Sequence, residues 1–140
     1  MSNQSPQVNN YLGIDYGEKR VGVARASAVA RLPEPLITLP NSEHIIEDVI
    51  ALAEQEDADV VVVGYPRGLD GQITEQTRKV QLFIDQLQAA GVTTAVIDEA
   101  GTSVAASEYL RSKDRPHWKH EGIDAIAAVI LLTDYLEHHS

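Results

Sequence analysis

Four consecutive β-branched residues, Val60 to Val63, constrain this chain more than any other stretch. A run that is apolar at every position fits a strand buried on both faces, in a sheet covered by helices on each side. The flanking segments supply the other parts of such a sheet. Tyr11 to Asp15 is a short apolar strand ending on an acid, and Tyr16-Gly17-Glu18-Lys19 is a tight turn. Arg20 to Ala26 sets Val21 and Val23 on one face, so 11–26 reads as a β-hairpin. Leu36 to Leu39, between Pro35 and Pro40, fits an edge strand.

The period then changes from two to 3.6. Asn41 or Ser42 is placed to cap a helix carrying Ile45, Ile46, Val49, Ile50, Leu52 and Ala53. Gly64 to Gly71 is a loop of Gly and Pro. Thr74 to Ala90 reads as a second helix with Val80, Phe83, Ile84 and Leu87 inward and Gly91 beyond its end. Thr93 to Ile97 is a further buried strand running into Asp98-Glu99. A third helix starts at Thr102 or Ser103 and reaches Leu110, residues 111–120 form a basic loop, and Gly122 to Leu136 is an apolar last helix. The order β-β-β-α-β-α-β-α-α describes an α/β domain with a mixed β-sheet, an antiparallel hairpin followed by parallel strands, flanked by helices.

The 140 residues suffice for one domain, 11–137, preceded by a polar leader over 1–10 that reads as disordered. That leader has no Lys or Arg ahead of an apolar stretch, so it is not a secretory signal, and the default location is cytoplasmic. No apolar run reaches the roughly 18–20 residues of a membrane span. The absence of cysteine excludes disulfide frameworks, Cys-ligated zinc, iron–sulfur clusters and thiol nucleophiles.

A net charge of −10 argues, taken globally, against phosphate-rich partners. The charge is uneven, however. Glu43, Glu47, Asp48, Glu54, Glu56, Asp57 and Asp59 share residues 41–60 with no Lys or Arg, the pattern of a solvated helix face. Residues 111–120 are locally basic, with Arg111, Lys113, Arg115 and Lys119 against Asp114. An anion site is therefore compatible with the overall charge.

Several acids fall where surface solvation does not account for them. Asp15 ends the first strand, Asp98 and Glu99 end the last, and Asp124 starts the final helix. The carboxyl ends of strands line the crevice in which open α/β sheets bind ligands. Carboxylates gathered there repel one another, and a divalent cation with hard oxygen ligands, such as Mg²⁺, removes the conflict. The acids also have plainer readings: Asp15 as a turn former, Asp124 as a first-turn acid complementing the helix dipole, and one of Asp98 and Glu99 as a solvated strand-end acid.

The stretch Tyr-Leu-Gly-Ile-Asp-Tyr-Gly-Glu-Lys-Arg-Val-Gly-Val-Ala (11–24) resembles the opening of the YqgF-type Holliday junction resolvases, also described as pre-16S rRNA nucleases. These are relatives of RuvC in the ribonuclease H-like superfamily. Val-Val-Gly-Tyr-Pro-Arg-Gly-Leu-Asp-Gly (62–71), Ile-Asp-Glu (97–99) and Ile-Asp-Ala-Ile-Ala-Ala-Val-Ile-Leu-Leu-Thr-Asp-Tyr-Leu (123–136) are similar to that family's later motifs, in order and at matching spacing. The resemblance implies a ribonuclease H-like fold and metal-dependent phosphodiester hydrolysis with Mg²⁺ or Mn²⁺, leaving a 5′-phosphate and a 3′-hydroxyl. It implies Asp15, Glu99 and Asp124 as catalytic, metal-binding acids, with Asp98 a less certain neighbour. The implied partner is nucleic acid, either precursor rRNA or branched DNA. Junction resolution would call for a homodimer, whereas trimming one RNA end would not.

One position departs from the pattern: Ala100 stands where the family has Arg, which removes a phosphate clamp or salt-bridge partner. The cations available to substitute are Lys19 and Arg20, beside Asp15, and Arg67 in the Gly-Pro loop; a solvated hairpin tip is the plainer reading of the first two. Thr102 or Ser103 sits where a hydroxyl would bond phosphate, although a helix N-cap explains it more simply. Arg115, Trp118 and Lys119 interleave an aromatic with cations, which suits a nucleic-acid strand; a structural Trp fits as well. His117 and His120 read better as an exposed pair than as metal ligands. A non-catalytic nucleic-acid or ribosome-binding module is the second reading. A phosphotransferase of the sugar kinase/Hsp70/actin type is the third, and it would need two such domains.

Overall fold

The computed structural model describes residues 7–66, 73–98 and 123–139. They form β1 (Asn10–Tyr16), β2 (Arg20–Ser27), β3 (Glu34–Pro40), α1 (Ile45–Gln55), β4 (Val60–Tyr65), α2 (Glu75–Ala89), β5 (Thr94–Asp98) and α3 (Ile123–His138). The expected helix over 102–110 and the basic loop lie outside the described residues. The strands lie in one sheet in the order β3-β2-β1-β4-β5. The β1–β2 and β2–β3 pairs are antiparallel, and β1–β4 and β4–β5 are parallel. This is the mixed sheet expected from the sequence.

Alternation along the strands builds two cores. Leu12, Ile14, Val21, Val23, Val61 and Val63 face α1 and α2, where they meet Val49, Phe83 and Leu87. Ala24, Ala26 and Val62 face α3 and its Ile126, Val129 and Leu132. The Val60–Val63 run thus serves both faces, as a strand covered on each side must. On the α3 side Gly13 of β1 and Gly22, Ala24 and Ala26 of β2 are small. A Cβ on Gly13 would meet the Leu132 Cβ at 2.9 Å, and one on Gly22 would meet the Asp124 carbonyl oxygen at 1.9 Å. The missing side chains let the helix lie almost on the backbone of the hairpin.

Some boundaries differ from expectation. Strand β3 includes both flanking prolines, Pro35 opposite Ala24 and Pro40 opposite Arg20. Proline is tolerated there because β3 pairs only with β2 among the described residues. Neither Asn41 nor Ser42 caps α1, whose N-cap is His44 without a side-chain bond. Asn41 instead donates from Nδ2 to the Gly17 carbonyl at 2.8 Å, tying β3 to the first turn. Strand β5 is half-covered rather than buried, with Val96 exposed. The first strand begins at Asn10, one residue early, and Asn9 donates its N–H to Asp59 Oδ2 at 2.6 Å.

The end of α3 is held by a residue outside it. Arg31, in the left-handed region at φ 55°, donates from Nη2 to the carbonyls of Leu136 and His139. A cation at a helix C-terminus offsets the partial negative charge of its free carbonyls. Arg31→Ala keeps the same backbone requirement and removes only the guanidinium. It is expected to cost about 1 kcal/mol, or roughly 3–4 °C in Tm for a chain of this size. A thermal melt matching wild type would show that the contact contributes nothing.

Candidate active site

The site is assembled where the ends of β1, β2 and α3 meet. Asp15 is the penultimate residue of β1 and pairs with Gly22 across the antiparallel ladder. Its place in the alternation puts it on the same face as Gly13, which packs against α3. Asp124 lies in the first turn of α3. The closest approach of α3 to Gly22 involves the Asp124 carbonyl and the Ala125 nitrogen. Gly22 is therefore neighbour to both acids, and a larger residue there would push them apart.

Arg20 adds the charge. It opens β2 two residues before Gly22, hence on the same face. Its Nε donates to Asp124 Oδ2 at 3.0 Å, across 104 residues of sequence. The Arg20 side chain is 65% exposed and that of Asp124 27%. Solvent thus reaches the cation freely and the carboxylate in part. The plainer reading of Asp124 as a dipole-complementing first-turn acid holds as far as its position goes. It does not account for the cation drawn to it from another element.

Other expected site residues are placed differently. Lys19 is exposed in the turn, and its carbonyl accepts from the Asn41 N–H at 2.9 Å. Asp98 ends β5 opposite Tyr65, whose ring packs against the α1/α2 core. Ala95 and Ile97 face α3, so Asp98 lies on the other face of the sheet from Asp15. The structure does not bring Asp98 to the two acids. Glu99, Arg67, Thr102, Ser103, Arg115, Trp118 and Lys119 fall outside the described residues.

Gly22 was not singled out by sequence reasoning. A signal was present: Gly22, Ala24 and Ala26 alternate as small residues on β2, opposite a helix containing Ala125 and Ala128. Such a strand face accepts a helix at short range.

The donor set suits a hard divalent cation. Among the described residues no group of three His, Cys, Asp or Glu gathers to hold an ion. Two carboxylates are nevertheless enough for Mg²⁺, which retains waters and takes oxygen from substrate phosphates. The guanidinium already resting on Asp124 Oδ2 shows that this oxygen is accessible and attracts positive charge.

Comparison with known proteins covers nearly the whole chain. A family model described as "RuvX: Holliday junction resolvase" matches residues 9–138. The chain is 38% identical over 130 residues to a protein of Chloroflexus aggregans, covering 90% of this chain and 92% of that one. It is 37% identical over 149 positions to one of Burkholderia ambifaria, covering 99% and 100%. Both carry the name "Putative pre-16S rRNA nuclease". Among solved structures, Thermus thermophilus RuvC in complex with Holliday junction substrate superposes with a TM-score of 0.60 at 15% identity, over 93% of this chain and 94% of that one. The fowlpox virus Holliday junction resolvase gives 0.58 at 15%, over 92% and 98%. At such identities the likeness is one of fold.

Proposed function

The chain belongs to the RuvX Holliday junction resolvase family, and we propose that this nuclease is a metal-dependent phosphodiester hydrolase that trims the 5′ end of precursor 16S rRNA in the cytoplasm. The observation that carries the site assignment is the meeting of Asp15 and Asp124 around Gly22. Glu99 is the third acid of the proposed set. The alternation that assigns Ala95 and Ile97 to the α3 face sets Asp98 on the opposite face, which speaks against Asp98 in that role.

Asp15 and Asp124 would hold Mg²⁺ or Mn²⁺, with Glu99. Bound there, a divalent cation supplies Lewis acidity toward a phosphoryl oxygen. The protein's own part is to fix the two carboxylates on rigid elements. Asp15 is held by the β-ladder and Asp124 by the seating of α3 on Gly22. Arg20 and Lys19 stand at the open edge as phosphate contacts, with Arg67, Thr102, Ser103, Arg115, Trp118 and Lys119 as further candidates along the strand's path. Partly exposed acids suit a large, backbone-recognised substrate better than a small enclosed one. No helix among the described residues is long and apolar enough to cross a membrane.

The rRNA reading follows the names of the relatives that share most of this chain's length. Branched DNA is the second reading, favoured by the family description and by the junction complex among the fold neighbours. A cleavage assay with a precursor rRNA 5′ fragment and a four-way DNA junction, in Mg²⁺, Mn²⁺ or EDTA, separates them. Metal-requiring cleavage of the RNA, with the junction left intact, is the expected result. Junction cleavage alone would transfer the assignment to DNA and call for a dimer. No cleavage of either, with binding retained, would leave a binding module, with Ala100 as the first residue to restore to Arg.

A further inference from the structure

Arg20, Gly22, Asp15 and Asp124 share one face at one end of the sheet, in a chain of net charge −10. The ion pair that joins Arg20 to Asp124 is a poor structural device: the guanidinium is largely exposed, and exposed pairs of long side chains contribute little to stability. Arg20 bonds through Nε to one oxygen of Asp124. A guanidinium freed from this single contact can grip a phosphate through two parallel bonds.

We propose that Arg20 is an exchangeable counter-ion of Asp124, displaced when a divalent cation takes that carboxylate and thereby released to grip a substrate phosphate. The inference rests on the reading of Asp15 and Asp124 as a cation site, and deepens it. Guanidinium and divalent cation compete for the same carboxylate, so each weakens the other's hold. Exchange adds two positive charges with the arginine still beside them. The corner therefore attracts nucleic acid more strongly once the cation is in place. Cation and phosphate then bind with positive coupling, and by linkage each strengthens the other's binding equally. Arg20 is thus a positioning residue toward the cation and a direct contact toward the substrate.

Mn²⁺ binding to the full chain, without nucleic acid, tests the exchange by electron paramagnetic resonance. Arg20→Gln removes the competitor and is expected to tighten Mn²⁺ roughly 5- to 30-fold, the range for a unit charge about 4–8 Å from a divalent ion in a high-dielectric surface setting. Arg20→Lys keeps the charge and should stay within about twofold of wild type. The Gln effect should vanish in an Asp124→Asn background, and Tm should be unmoved by either substitution. Unchanged or weaker Mn²⁺ binding in Arg20→Gln, with binding still sensitive to Asp15→Asn, would overturn the exchange and leave the cation site standing. Tightening that persists without the Asp124 carboxylate would also overturn it, since the effect would then be a general charge effect. Mn²⁺ binding absent from wild type, or indifferent to both Asp15→Asn and Asp124→Asn, would remove the site itself.

Discussion

Asp15→Asn is expected to abolish cleavage while leaving the protein folded. The substitution keeps the shape of the side chain and removes its charge, the property a hard divalent cation selects for. Removing an outer-shell partner of a metal ligand costs roughly 10–100-fold. Loss of a ligand carboxylate should exceed that, and a drop on the order of 10³-fold in cleavage rate is the expected result. The fold should tolerate the change, because Asp15 is half-exposed at the end of its strand and its backbone pairing with Gly22 is untouched. Circular dichroism and a thermal melt close to wild type are therefore part of the prediction. Full activity in Asp15→Asn would return this residue to the plainer role of a turn former. Activity lost together with the melting transition would say nothing for catalysis.

Much of the fold was legible because period two gives way to period 3.6 near residue 41, and because Val60–Val63 admits little besides an inner strand. The hairpin, the parallel strands and all three helices described here follow from those patterns. The misplaced details share a cause, which is that local sequence does not reveal a residue's partner. Asn41 looked like a helix cap because Asn commonly caps, yet its side chain is taken by the Gly17 carbonyl of a distant turn. The prolines at 35 and 40 looked like strand boundaries, yet an edge strand carries them where no ladder bond is needed on the outer side. The apolar Thr93–Ile97 run looked buried, yet Val96 lies on an edge strand and is exposed.

The candidate site was legible only in its outline. Asp15 and Asp124 stand at the ends of elements the pattern defines, so both were marked from sequence. Local sequence does not tell which face of the sheet Asp98 takes; the contacts of Ala95 and Ile97 set it on the face opposite Asp15. The pairing of Arg20 with Asp124 joins residues 104 apart, and nothing in either neighbourhood announces the other. Arg31 reaching the end of α3 is of the same kind.

Gly22→Ala is expected to damage stability and catalysis together, by one displacement. The added Cβ would lie 1.9 Å from the Asp124 oxygen, 2.2 Å from its carbonyl carbon and 2.7 Å from the Ala125 nitrogen. All three are backbone atoms, so no side-chain rotation relieves the clash. The first turn of α3 must retreat by about 1.5 Å to pass from 1.9 Å to the ordinary contact distance of 3.4 Å. Overpacking of this sort costs about 2–3 kcal/mol, which lowers Tm by roughly 6–10 °C in a domain of this length. The same retreat carries Asp124 away from Asp15. A misplacement of about 1 Å can cost 10²-fold in rate, so cleavage measured well below the new Tm should fall by about two orders of magnitude. That second effect separates the seat of α3 from an ordinary packing position. Truncations elsewhere along α3, such as Leu136→Ala at its far end, should lower Tm comparably while leaving the rate of the folded protein near wild type. A Gly22→Ala protein that melts low but cleaves at the wild-type rate would show that the acids do not depend on this contact for their spacing.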